Sequence, residues 1–67
     1  MTVARVTELS STSDKSFQDA VEQGVKRANK TLRNVTGAWV KEHKVAVKDG
    51  TITSYQVNMM VTFILED

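Results

Sequence analysis

Two long strand-like runs separated by Asp49-Gly50 constrain this chain more than any other feature. Ala38 to Lys48 and Thr51 to Leu65 both read as strand. Asp-Gly between them is a strong signal for a two-residue hairpin turn, because a type I′ turn needs positive φ at both central positions. At about 3.3 Å per residue, strands of roughly 11 residues or more make a ribbon of ~36 Å. A compact chain of 67 residues would have a radius of gyration near 11 Å and a diameter of roughly 28 Å. The ribbon should therefore overhang the body that carries it. Something outside one chain has to cover the excess, and further copies of the same chain are the simplest cover.

Size and composition lead to the same expectation. The 67 residues, 1–67, allow one domain whose core is marginal without added staples. There is no cysteine and only one histidine, so neither a disulfide framework nor a tetrahedral zinc site is expected. Oligomerisation remains. Nine Lys/Arg against eight Asp/Glu leave a net charge of +1, which argues against unspecific nucleic-acid binding. No signal-peptide pattern or membrane-length apolar run is apparent, so a cytoplasmic address is the expectation.

The element order reads strand, helix, strand, strand, an α+β pattern. Val3 to Leu9 alternates, with Val3, Arg5, Thr7 and Leu9 on one face, but its buried side is ambiguous. Ser10-Ser11-Thr12-Ser13-Asp14 then supplies candidate helix caps, with Ser13 and Ser16, or Thr12 and Asp14, satisfying the first N–H groups. A helix is expected over Asp14 to Leu32, with Phe17, Ala20, Val21, Gly24, Val25, Ala28 and Leu32 along one narrow apolar stripe. The charges at Lys26, Arg27, Lys30 and Arg33 read as a solvated face.

The third strand has the cleanest alternation. Tyr55, Val57, Met59, Val61, Phe63 and Leu65 form the core-facing set, and Ser54, Gln56, Asn58, Met60, Thr62 and Ile64 the opposite one. In the second strand neither the odd set (Gly37, Trp39, Lys41, His43, Val45, Val47) nor the even set (Ala38, Val40, Glu42, Lys44, Ala46, Lys48) is purely apolar. Passage of this strand from an intramolecular into an intersubunit environment would account for that mixture.

No nucleophile–base pair, Gly-rich phosphate loop or metal-ligand cluster appears, so an enzyme is not expected. His43 reads as a structural residue. Trp39, the only tryptophan, and Gln56, on the polar side of the third strand, are the two residues suited to a planar heteroaromatic ligand. Such a ligand needs a π-face to stack on and an amide for its edge. Trp39 equally suits a subunit interface, where Trp is enriched.

Taken together, Leu9-Ser10-Ser11-Thr12-Ser13, Ala28 through Asn34, Val40-Lys41-Glu42, Tyr55-Gln56-Val57 and Val61 through Glu66 make the chain resemble the dodecins, small flavin-binding proteins. The resemblance implies a β-α-β-β fold, a three-stranded antiparallel sheet on one helix, assembled as a hollow homododecamer. It implies storage or sequestration of a flavin (riboflavin or FMN) rather than turnover, in pockets at two-fold axes where tryptophans sandwich stacked flavin pairs. Gln56 matches the glutamine that reads the ring edge, and Lys44 falls where many members carry an arginine. The family's stacking Trp lies two residues before Trp39, at the position of Gly37. Trp39, on the same strand face as position 37, is then the stand-in aromatic. Members without the stacking Trp include some associated with calcium, so a shell that binds no flavin, and takes cations or another small ligand, is the alternative.

Overall fold

The computed structural model describes residues 2–65. Its elements are β1 (Ala4–Ser13), α1 (Phe17–Thr31), β2 (Val35–Lys48) and β3 (Thr51–Ile64). They form one antiparallel sheet in the order β1-β3-β2, so the strand with the cleanest alternation is the central one. The expected β-α-β-β architecture is present.

The turn forms as the Asp-Gly pair dictates: Asp49 has φ 52° and Gly50 φ 77°. The helix begins later than expected. Ser16, not a residue of the Ser10–Asp14 cluster, is the N-cap, its Oγ accepting from the Asp19 N–H at 2.9 Å. Ser10 to Ser13 instead extend β1, which pairs with β3 as far as Ser13 opposite Tyr55. A 14-residue central strand offers backbone partners that far along, and pairing with them outweighs the local capping preference of the serines. Ser13 still serves the helix start from the end of its strand. Its Oγ accepts from the Lys15 N–H at 2.9 Å and donates to the Asp19 carboxylate at 2.6 Å.

The helix packs on one face of the sheet. Ala20, Gly24 and Ala28 are its buried line, and Val57, Met59 and Val61 beneath them are fully buried. Leu9, Phe17, Val21, Val25, Leu32, Val35 and Val40 flank this core, so β1 turns its Leu9 side inward. The approach at Gly24 is close: a Cβ there would sit 2.9 Å from Met59 Sδ and 3.2 Å from Ser11 Cβ. Small residues along the stripe are what allow the helix so near.

A helix of 15 residues spans about 22 Å at 1.5 Å per residue, less than half the length of the hairpin. Phe17, at its N-terminal end, meets Tyr55 and His43 edge-on at 5.2 and 4.8 Å. Beyond that contact the hairpin continues without a helix beneath it, and Val47 and Ile52 are 60% and 48% exposed. The molecule is accordingly 52 × 19 × 13 Å, with a radius of gyration of 13.8 Å. That exceeds the compact value of about 11 Å for this length. The overhang is real in the folded protomer.

The mixed pattern of β2 has a different origin from the one expected. Val40 pairs with Met59 and Glu42 with Asn58, leaving Lys41 as an extra residue in a β-bulge, and Thr36 is a second one between Val35 and Gly37. Each bulge shifts the side-chain alternation by one residue. Val35, Ala38, Val40, His43 and Val45 consequently share the helix side, while Gly37, Trp39, Glu42, Lys44 and Ala46 share the opposite side. Neither the odd nor the even set corresponds to a face.

Candidate functional site

The face of the sheet away from the helix is uncovered in the protomer and carries the residues singled out for ligand binding. Gln56, Asn58, Met60 and Thr62 of β3 line its middle. β1 contributes Glu8, Ser10 and Thr12, and β2 contributes Gly37, Trp39, Glu42 and Lys44. Trp39 is 52% exposed although it is the largest side chain in the chain.

Register decides which of these are neighbours. Lys44 lies directly opposite Gln56, so their Cβ atoms are about 5 Å apart and a cation stands beside the amide. Without the bulge at Lys41, Lys44 would point to the face opposite Trp39 and Gln56. Trp39 lies opposite Met60 and Gly37 opposite Thr62. Met60 is four residues along β3 from Gln56, so Trp39 and Gln56 of one protomer are separated by roughly 13 Å along the sheet. The structure thus places all four candidate residues on one face, with Lys44 and Gln56 adjacent and Trp39 and Gly37 towards the other end. A Cβ at Gly37 would meet nothing within 4 Å, so space for a larger side chain is open there.

A row of polar groups crosses this face. The Gln56 Nε2 donates to Ser10 Oγ at 2.8 Å and to Asn58 Oδ1 at 3.3 Å. The Asn58 Nδ2 in turn donates to Glu42 Oε1 at 2.9 Å. Lys41 reaches across the sheet to Glu8 at 3.6 Å, with both side chains about half exposed, so this pair adds little stability. Ser10, Asn58 and Glu42 were not legible as site residues. Asn58 could have been suspected from its i+2 position beside Gln56, whereas Glu42 is brought there only by the bulge.

Two concave regions of the protomer lie elsewhere. One, lined by Leu32, Arg33, Asn34 and Phe63, is at the C-terminal end of the helix, and the other, lined by Leu9, Arg27 and Thr31, runs between helix and β1. Neither includes Trp39, Lys44 or Gln56. The amide-bearing face is open and becomes a pocket only when something covers it. His43, facing the helix side against Phe17, takes no part in it, in keeping with a structural role. No group of three or more His, Asp or Glu positioned for a metal occurs among the described residues.

Comparisons with known proteins agree with this architecture. The family model described as Dodecin matches residues 3–66. A dodecin from Thermus thermophilus is 34% identical over 65 residues, covering 97% of this chain and 94% of the relative. The structure of a Streptomyces coelicolor dodecin superposes with a TM-score of 0.93 at 33% identity, over 98% of this chain and 94% of the other. A calcium dodecin from Mycobacterium tuberculosis, described as having a calcium-binding site, superposes with a TM-score of 0.82 at 29% identity, over 96% and 91% of the two chains. A full-length match in sequence, in topology and in the overhanging hairpin leaves one conclusion: this chain belongs to the dodecin family.

Proposed function

We propose that the protein is a flavin-sequestering shell, a homododecamer that holds riboflavin or FMN between protomers. The observation that carries this reading is the gathering of Trp39, Lys44 and Gln56 on one open sheet face. An exposed indole offers a stacking surface, an amide offers an edge partner, and a lysine offers a charge for a phosphate. With Trp39 and Gln56 roughly 13 Å apart within a protomer, a ring held by both is best completed by a symmetry-related copy. The same copy would cover Val6 and Trp39, which are 43% and 52% exposed. Binding without turnover fits the absence of a nucleophile–base pair in the sequence.

A second reading, a shell that binds no flavin and takes cations or another small ligand, is favoured by Gly37 at the family's stacking position and by the calcium-binding relative. Titrating riboflavin against the assembled protein separates the two. Quenching of flavin fluorescence at micromolar protein, lost in Trp39→Ala while particle size is kept, is the expected result. Fluorescence unchanged by wild-type protein would overturn the flavin reading. Collapse of the particle in the alanine variant would make Trp39 an interface residue instead.

A further inference from the structure

The polar row under the open face has a direction, and that direction constrains the ligand. Glu42 stands at one end. An ionised carboxylate only accepts hydrogen bonds, so the Asn58 group facing it must be the Nδ2 donor, as the 2.9 Å contact has it. Asn58 Oδ1 then points the other way, towards Gln56. An acceptor there requires a donor from Gln56, and the Gln56 Nε2 takes that place, its second hydrogen going to Ser10 Oγ at 2.8 Å. Both hydrogens of the Gln56 amide are thereby engaged within the sheet. Among the described residues nothing donates to Gln56 Oε1, which is left for a ligand. Reversing the Gln56 amide would set its Oε1 against Asn58 Oδ1, and reversing Asn58 in response would set an oxygen against the Glu42 carboxylate. Either rearrangement brings two acceptors together.

We infer that Glu42, acting through Asn58, fixes the Gln56 amide with Oε1 outward, so that the site selects ligands presenting an N–H donor. This rests on the flavin reading and adds to it the chemical edge that is recognised. The pyrimidine edge of a flavin carries one N–H between two carbonyls. Gln56 in this polarity accepts from that N–H and has no free hydrogen for the flanking carbonyls. Recognition is then a single directed bond, and Glu42 is its positioning residue without touching the ligand.

The test compares riboflavin with its N3-methyl derivative, which lacks that N–H, on assembled wild-type, Glu42→Gln and Asn58→Ala proteins by fluorescence quenching. In wild type the methylated flavin is expected to bind about tenfold or more weakly, the loss of one directed hydrogen bond and the stranding of its acceptor. In Glu42→Gln, whose amide can donate or accept, and in Asn58→Ala, which breaks the row, the Gln56 amide can turn, and the difference should fall below about threefold by the same conversion. The Gln56 side-chain NH2 signals give an independent readout. Both protons should be protected in ligand-free wild type and lose protection in either variant. An equal preference in wild type and both variants overturns the role of Glu42 while leaving flavin binding intact. No quenching by either flavin in wild type removes the flavin reading, and this inference with it.

Discussion

β3 presents two faces made by alternate residues of one strand, and they have opposite fates. Val57, Met59 and Val61 are 0% exposed beneath the helix. Gln56, Asn58, Met60 and Thr62, each one residue away, line a face with no cover among the described residues. From Val57 to Val61 the inner face is apolar, crowded against Gly24 and covered by the helix within the protomer, and it sets the fold. The outer face is built from an amide row, a cation and an exposed indole, and nothing among the described residues covers it. On the proposed function, stability and ligand binding are divided across the thickness of a single sheet.

The adjacent methionines give the sharpest way to break that division. Met59 is fully buried in the core, and Met60 sits on the other side opposite Trp39. Met59→Ala should cost about 2–5 kcal/mol, from lost burial plus the cavity left behind. Met60→Ala should cost the protomer less than about 1 kcal/mol, as substitutions away from the core do. Its effect should fall on assembly and ligand quenching instead. Chemical denaturation at one fixed protomer concentration checks both, since stability and association are linked. Equal losses from the two variants would show that the outer face is as much a part of the fold as the inner.

A gain of function probes the outer face alone. Gly37 shares that face with Trp39, and a Cβ there meets nothing within 4 Å. Gly37→Trp should therefore be accepted without loss of fold and should add a stacking surface. An aromatic stacked on a heterocycle contributes about 1–3 kcal/mol, so riboflavin affinity should rise roughly 5- to 150-fold. An unchanged quenching curve with intact particle size would mean that position 37 does not face the ligand in the assembly.

The inner face was readable from residue order because alternation over Tyr55–Phe63 and the helical stripe from Phe17 to Leu32 obey regular periods. The Asp49-Gly50 turn was readable because few residue pairs tolerate two positive φ angles. The outer face was only half readable. Trp39 and Gly37 could be assigned to one face, but the bulge at Lys41 has no residue signature, no Gly and no Pro, and it alone moves Glu42 and Lys44 to the Trp39 side. The start of the helix is not readable from the local sequence for a related reason. Ser10 to Ser13 carry a local capping preference, yet the strand they join is decided by a partner more than forty residues away in sequence.

Ser13 marks where those two demands meet, and it supports the smallest of the expected effects. It is buried at the end of β1, and its hydroxyl donates to Asp19 in the first turn of the helix. That bond, chiefly, holds the Asp19 carboxyl below its ordinary value, with lesser help from Gln23, Lys15 and Lys26, against the opposing effect of desolvation. A carboxyl whose folded pKa is depressed contributes stability above its unfolded value, and the contribution is lost as pH falls through the folded one. Ser13→Ala removes the donor, so the Asp19 carboxyl should titrate at a higher pH, nearer an unperturbed aspartate. Near neutral pH the variant should be slightly less stable than wild type, and the difference should shrink as pH falls below the aspartate range. Carboxyl NMR titration of Asp19 in the two proteins reads this directly. An unchanged titration would mean that the Asp19 charge is held by the helix and its lysines, leaving the inner face and the overhanging ribbon without this link between strand end and helix start.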